Sequence, residues 1–153
     1  MIRQATLDDL QSLVNLALAS MEENDVADFG CPISIPKLTE SISLRIQYEL
    51  VFVAETTDRE IVGCYVASRS ATLYSDRVCI LSDIFYIKPE FRTFYLAKAF
   101  ISIMKECAIL NRSPIVFDLF AQKDVDKKKK LLKYLGFKDF GSSLVFKVEN
   151  TNE

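Results

Sequence analysis

The chain contains no histidine and only four cysteines, and these two features exclude several kinds of site. Cys31, Cys64, Cys79 and Cys107 are far apart and form no Cys-x-x-Cys pair. Zinc sites of the usual kind need histidine or closely spaced cysteine ligands, and Ser-His-Asp and Cys-His nucleophile systems need a histidine. We therefore expect neither a metal site nor a histidine-activated nucleophile.

Strong net charge and long apolar runs are also missing. The 153 residues carry a formal net charge of −2, so the chain as a whole does not attract nucleic acid. No apolar run approaches the roughly 18 residues of a membrane-spanning helix, and Met1-Ile2-Arg3-Gln4 does not begin a signal peptide. We expect a cytoplasmic protein that binds neither nucleic acid nor a membrane.

Length and composition predict a single α/β domain over residues 1–153. Hydrophobic residues make up 50% of the chain, and a domain of this size buries about two-thirds of its unfolded surface without needing disulfides or a metal. Neither an internal repeat nor a low-complexity linker divides the sequence.

Hydrophobic periodicity predicts the order strand, helix, helix, three strands, helix, strand, helix and two strands. Thr6 is predicted to cap the first helix, Pro36 to open the second and Gly136 to end the last. A polar turn is predicted at Ser75-Asp76-Arg77. The predicted strands are Ile2–Ala5, Leu50–Glu55, Ile61–Ser70, Ile80–Ile87, Ile115–Phe120, and a closing hairpin of Phe137–Phe140 with Leu144–Val148; the later helices are Arg92–Leu110 and Lys127–Leu135.

The stretch from Ile80 to Asn111 organises the rest of the predicted fold. β-Branched and aromatic residues predict a strand that ends before Pro89, and apolar residues at three- and four-residue spacing predict a long helix after it. The turn between them would present free backbone N–H groups and the positive end of a helix dipole. That arrangement suits an anionic ligand such as a pyrophosphate.

The segment from Ile87 to Ala97 resembles the acetyl-CoA-binding segment of the GCN5-related N-acetyltransferases. In that family a strand ends in Val-x-Pro, and an Arg/Gln-x-x-Gly-x-Gly/Ala loop follows. Arg92 and Ala97 match this loop, whereas Tyr95 stands at the middle glycine and Thr93 at a position where glycine is common.

Other segments carry the same resemblance. Ile2-Arg3-Gln4-Ala5-Thr6 is similar to the family's opening, Val62-Gly63 to a pair frequent in its third strand, and Leu131 to Phe137 to its late Tyr-x-x-x-Gly-Phe signature. The tyrosine of that signature falls on Leu132. The resemblance implies a single-domain fold with a mixed, mostly antiparallel central sheet flanked by about four helices.

The resemblance also implies acetyl-CoA as the cofactor, held in a groove beside the central strand. Because glycine lets a phosphate approach where a Cβ would intrude, Tyr95 leaves two outcomes open: its side chain points away from the ligand, or it fills the site. The backbone groups implied are those of Phe85 and Ile87 for pantetheine, and those of Arg92, Thr93, Phe94, Tyr95, Leu96 and Ala97 for the pyrophosphate.

Asp83 is the catalytic residue that the resemblance implies, because family members often carry a carboxylate there that relays a proton from the amine through water. The alternative is a surface carboxylate paired with a basic neighbour. Leu132 cannot donate a proton to the leaving thiolate, and Tyr86 or Ser82 could substitute for the missing tyrosine. The run Lys127-Lys128-Lys129-Lys130 is either a solvated helical turn or a contact for the 3′-phosphate of CoA or for an acidic partner.

Two functions remain open from the sequence. The first is an acetyl-CoA-dependent N-acetyltransferase that acts on a small-molecule or protein amine. The second is a non-catalytic member of the same fold that serves as an interaction or structural subunit, with a homo-oligomer or an assembly partner. Tyr95 and Leu132 favour the second, whereas Asp83, Arg92 and Ala97 favour the first.

Overall fold

The computed structural model describes residues 1–26, 30–73, 75–119 and 123–141, which form a five-stranded sheet and four α-helices. Short 3₁₀ turns precede the first and third helices, at Leu7–Asp9 and Pro89–Phe91. The strands are β1 (Ile2–Gln4), β2 (Leu50–Glu55), β3 (Ile61–Thr72), β4 (Ser75–Ile87) and β5 (Ile115–Phe117), and the helices are α1 (Leu10–Glu23), α2 (Ile35–Tyr48), α3 (Phe94–Asn111) and α4 (Val125–Tyr134).

The strands lie in the order β1-β2-β3-β4-β5. The first four pair antiparallel, and β5 pairs parallel to β4. A parallel partner requires a crossover connection, and α3 supplies it. The predicted mixed, mostly antiparallel sheet with about four helices is confirmed, and β4 lies inside the described sheet as expected.

Each face of the sheet carries its own apolar core. On one face, α1 and α2 pack through Leu13, Leu16, Ala17 and Ile42. On the other face, the core contains the following residues of β3, β4, α3 and α4: Val62, Tyr65, Ala67, Ile80, Ile87, Ala97, Phe100, Ile101, Met104 and Leu132. Because both faces are covered, the first half of β3 is buried at every position instead of alternating.

Gly63 allows β3 to approach β4 and α3 closely. A Cβ added there would lie 3.2 Å from the carbonyl oxygen of Tyr86 and 3.3 Å from Cε2 of Phe100. Those distances are shorter than ordinary van der Waals contacts. A larger residue at this position would therefore require its neighbours on β4 and α3 to move by a few tenths of an ångström.

The N-terminal segment is held by a charged cluster around Asp9. Arg3 donates to both carboxylate oxygens of Asp9, at 2.8 and 2.9 Å, and to Glu55 at 2.6 Å. The backbone N–H of Thr6 also donates to Asp9. Arg3 thereby holds the pKa of Asp9 below its usual range. The sequence predicted Thr6 as a helix cap, and it caps the 3₁₀ turn that leads into α1.

Several predicted boundaries differ from the structure. Ser75-Asp76-Arg77 was predicted as a turn but begins β4, because the partner strand β3 extends to Thr72 and pairs with Ser75. β5 ends at Phe117, and Phe120 lies outside the described residues. Phe137 to Phe140 form no strand. The other half of the predicted closing hairpin, Leu144–Val148, lies outside the described residues.

Phe100 is the largest α3 side chain in the core between helix and sheet. It is fully buried and packs its ring 5.7 Å from that of Phe85. We expect Phe100→Ala to lower the free energy of unfolding by about 3–5 kcal/mol, because it removes apolar contacts and leaves a cavity. Ile109→Ala is the control on the same helix, since Ile109 is 75% exposed, and should change it by no more than about 0.5 kcal/mol. Equal losses of unfolding free energy in the two variants, measured by urea unfolding, would contradict this packing.

Candidate functional site

The strands β4 and β5 separate after a short stretch of pairing. Their paired residues are Ile80 with Ile115, Leu81 with Val116, and Ser82 with Phe117. β4 then continues to Ile87, whereas β5 has ended. Within the described part of the chain, residues 83–87 therefore have no strand paired on this side, and we call this gap the β4–β5 split.

A β-bulge marks the point where the strands separate. Val66 pairs with Ile84 and Ala67 with Ser82, so Asp83 is the extra residue of β4. A bulge bends its strand and changes the alternation of side chains. Asp83 consequently reaches α2 on one face, while Phe85 contacts Phe100 of α3 on the other.

The bulge also turns backbone groups of β4 toward the split. The N–H of Lys88 donates to Val62 on the β3 side, at 2.9 Å. Because backbone groups alternate along an antiparallel strand, those of Phe85 and Ile87 face the opposite side. These are the two residues that the family resemblance had selected for pantetheine.

The start of α3 lies at the open end of the split and presents unpaired amides. The side chain of Thr93 accepts from the N–H of Leu96 at 3.1 Å, and the carbonyl of Thr93 accepts from Ala97 at 3.2 Å. The N–H of Arg92 donates to Pro89. Within the described part of the chain, this leaves the N–H groups of residues 93–95 without an acceptor. An anion at this helix start would meet three amides, fewer than the six that the resemblance implied.

Tyr95 does not occupy the split. Its side chain is 82% exposed, and its φ is not among the left-handed values of the chain. Phe94 packs between two aromatic rings, with centroid distances of 5.9 Å to Tyr95 and 5.7 Å to Tyr134 on α4. Of the two outcomes left open for Tyr95, the structure has the outward-pointing one.

Arg92 connects three elements at the open end of the split. Its Nε donates to the carbonyl oxygen of Ile87 at 2.8 Å, and its Nη2 donates to Glu23, at the end of α1, at 2.6 Å. The guanidinium also lies 5.3 Å from the ring centre of Tyr86. The Arg92 hydrogen bond lowers the pKa of Glu23, while burial raises the pKa of Tyr86. The Arg92 side chain is thus held within the protein by its contacts with Ile87, Glu23 and Tyr86.

Asp83 is exposed and forms an ion pair with Arg45 of α2, at 2.7 Å. This is the surface pairing that the sequence left open as the alternative to proton relay. Leu132 is buried in the core beneath α4, so the late tyrosine position provides no polar group. Ser82 and Tyr86, the two substitutes, lie on different faces of β4: Ser82 bonds to Tyr65, and Tyr86 packs beside α1.

The lysine run at the start of α4 makes specific contacts. Lys128 donates to Asn24 at the end of α1, at 2.9 Å, and burial lowers its pKa. Lys129 lies near Asp139 at 3.8 Å. Lys128 thus links α4 to the end of α1, next to the residue of α1 that Arg92 contacts.

Other potential sites are few. No cluster of three or more potential metal ligands occurs among residues 1–26, 30–73, 75–119 and 123–141, and no helix there is long and apolar enough to cross a membrane. A cavity of about 390 Å³ lies between α3 and α4 beside Lys98 and Lys105, and one of about 280 Å³ lies between α1 and the β4 end beside Tyr86. Neither is lined by Asp83 or Phe85.

Comparison with known proteins supports the fold. No protein-family model and no curated protein matches the sequence. Similar solved structures include a probable acetyltransferase, with 16% identity, coverage of 100% of this chain and 99% of that chain, and a TM-score of 0.73. An aminoglycoside 6′-N-acetyltransferase from Acinetobacter baumannii has 15% identity, coverage of 97% of both chains and a TM-score of 0.71. An acetyltransferase from Trypanosoma brucei has 18% identity, coverage of 97% and 99%, and a TM-score of 0.69.

The chain has the fold of the GCN5-related N-acetyltransferases. Identities this low establish the GNAT fold alone. The split, the α3 start and the bulge define the candidate site of this chain.

Sequence reasoning missed three partners in this site. Glu23, Arg45 and Tyr65 contact Arg92, Asp83 and Ser82 across separations of 69, 38 and 17 residues. Glu23 and Arg45 lie near the ends of α1 and α2. The local sequence pattern does not show that Glu23 contacts Arg92 or that Arg45 contacts Asp83.

The ion pair between Glu23 and Arg92 predicts a specific titration. Because the pKa of Glu23 is lowered in the folded protein, the pair contributes stability above the unfolded pKa of about 4.3 and loses it as the pH falls through the folded value. We expect carboxyl NMR to show a lowered Glu23 pKa that returns to its ordinary range in Arg92→Gln. Arg77→Gln, at the start of β4, is the control. A Glu23 pKa unaffected by Arg92→Gln would show that the pair does not form.

Proposed function

We propose that the chain is an acetyl-CoA-dependent N-acetyltransferase that acts on an amine. One observation carries the proposal: β4 passes beyond its pairing with β5 and turns the backbone of Phe85 toward the split, next to the open amides of residues 93–95. A strand edge followed directly by a helix start offers pairing to an amide-containing chain and a place for its phosphates. The GNAT fold of the similar structures agrees with this use of the split.

The residues present fit acetyl-CoA along part of its length. The backbone of Phe85 and the N–H of Ile87 would pair with pantetheine, and the amides of Thr93, Phe94 and Tyr95 would bind pyrophosphate. The carbonyl of Ile87 already accepts a hydrogen bond from Arg92, so it is not free to pair with pantetheine. The exposed side chain of Tyr95 leaves these amides accessible.

Acetyl-CoA supplies the acetyl group as a reactive thioester. The chain must accept a proton from the attacking amine and stabilise the charge that develops during transfer. Asp83 is the carboxylate at the bulge, and we assign it the proton relay. The acceptor belongs to the class of small-molecule or protein amines; the aminoglycoside enzyme among the similar structures is one example of a GNAT-fold protein with a small-molecule acceptor.

A second candidate is a non-catalytic GNAT-fold subunit. Specific contacts favour it: Arg92 is bound to Glu23, Asp83 is bound to Arg45, and Leu132 replaces the family's tyrosine. In this case the side chains at the split stabilise the fold, and a homo-oligomer or an assembly partner would use another surface. Binding of acetyl-CoA separates the two candidates.

Calorimetric titration of acetyl-CoA into the pure protein tests the proposal. We expect a dissociation constant on the order of micromolar, within the usual range for enzyme substrates. Tyr95→Gly should keep the affinity within about threefold of the wild type, since the amides remain and only an exposed side chain is removed. Tyr48→Ala, at the far end of α2, is the control. Absence of binding up to millimolar concentrations supports the non-catalytic subunit, and a loss beyond tenfold in Tyr95→Gly shows that this side chain contacts the ligand.

Asp83 is tested by separating its two possible roles. If it relays the proton, Asp83→Asn should lower turnover by about 10²-fold with little change in acetyl-CoA affinity. Arg45→Gln removes the ion-pair partner but keeps the carboxylate, so it should retain most of the turnover. Similar small effects of both substitutions, measured on an amine that the wild type acetylates, would assign Asp83 to the ion pair alone.

A further inference from the structure

Ser82 occupies the apex of the β4–β5 split. It is the last residue of β4 that pairs with β5, opposite Phe117, and it immediately precedes the bulged Asp83. The side chain is partly buried and its hydroxyl is hydrogen-bonded to the phenol of Tyr65. A polar group is therefore fixed at the point where the two strands separate.

Tyr65 is built into the wall of the split. Its side chain is fully buried, and its ring lies 5.2 Å from that of Phe85 on β4 and 5.9 Å from that of Phe117 on β5. Burial raises the pKa of the phenol, so it stays protonated at neutral pH. Either hydroxyl can donate in this pair; when the phenol donates to the Ser82 oxygen, the Ser82 hydroxyl keeps its own hydrogen to donate elsewhere.

At the late tyrosine position, Leu132 cannot donate a hydrogen bond to the leaving thiolate. Leu132 on α4 has no hydrogen to donate, and it lies on the same side of the sheet as Tyr65, within the same core. We propose that the Ser82 hydroxyl, positioned by Tyr65, donates a hydrogen bond to the sulfur atom of the thioester as it leaves. The inference rests on the proposed function and assigns a residue to one step of it.

The step is balanced without a further reactant. The amine nitrogen forms a bond to the acetyl carbon, the carbon–sulfur bond breaks, and its electron pair goes to sulfur. Ser82 keeps its proton and stabilises the thiolate through the hydrogen bond. The amine loses its proton to water through Asp83, and the thiolate later takes a proton from water. Ser82 is thus a catalytic residue by contact with the reacting atom, and Tyr65 is a positioning residue.

Affinity for free coenzyme A tests this contact without any acceptor amine. At about pH 9.5 a substantial fraction of the coenzyme A thiol is ionised, so calorimetry can compare coenzyme A with desulfo-coenzyme A, which lacks the sulfur. The wild type should bind coenzyme A about tenfold more tightly, because a hydrogen bond to a charged group is strong, and less of this preference should remain at pH 7. Ser82→Ala should reduce the ratio to near one, and Ser82→Thr should retain it.

Two further variants separate the contact from a structural effect. Tyr65→Phe keeps the ring but removes the phenol, so it should lower the ratio by severalfold while affinity for desulfo-coenzyme A stays the same. Ser70→Ala, a serine of β3 that pairs with Cys79, should match the wild type. Thermal unfolding of each variant verifies that it is folded.

The possible outcomes test the role of Ser82 separately from the proposed acetyltransferase function. Binding of both ligands with the same ratio in the wild type and in Ser82→Ala overturns the role of Ser82 and leaves the proposed function intact. Loss of the preference in Ser82→Ala with rescue in Ser82→Thr supports it. Failure of the wild type to bind either ligand overturns both.

Discussion

The divergence of β4 from β5 after Ser82 is the constraint on which the rest of the structure depends. β4 must pair with β3 along its full length and with β5 along only three residue pairs, Ile80–Ile115 to Ser82–Phe117. The bulge at Asp83 allows β4 to separate from β5, because it bends the strand and changes the direction of its backbone groups. Among the described residues, this leaves an edge of β4 with no partner strand, and its peptide groups stay unpaired unless something else satisfies them. A ligand with amide groups is one way to satisfy them.

Polar contacts between helices cross the open end of this split. Glu23 and Asn24, at the end of α1, receive hydrogen bonds from Arg92 and Lys128 on the other side. The Arg92 pair is partly exposed, with side-chain exposures of 42% and 34%, so its contribution to stability is about 0–1 kcal/mol. A pyrophosphate carries more charge than one carboxylate. Such a ligand can therefore displace Glu23 at small cost, and the observed pair is compatible with both candidate functions.

The sequence predicted those parts of the fold that depend on local pattern. The spacing of Leu96, Phe100 and Met104 places α3 correctly, and Pro89 correctly marks the end of β4. The turn at Ser75-Asp76-Arg77 was wrong because β3 extends the ladder, and a strand's length depends on its partner. The contacts of the site were harder to predict because they too depend on how β4 pairs with its partner strand. The Tyr65–Ser82 contact requires the register shift between Val66 and Ala67, and a shift of one residue reverses every side chain beyond it.

Tyr95 shows that a missing motif glycine need not alter the backbone at the start of α3. A glycine is required where the backbone takes a left-handed conformation or where a ligand approaches a Cβ. Here α3 begins at Phe94 with Thr93 as its cap, so residue 95 is the second residue of a regular helix and its side chain points to solvent. The amides that remain open are those of an ordinary helix start, and their number is set by the Thr93 cap, which uses the N–H of Leu96. The number of open amides at the start of α3 therefore depends on the position of a helix cap more than on the glycines of the loop motif.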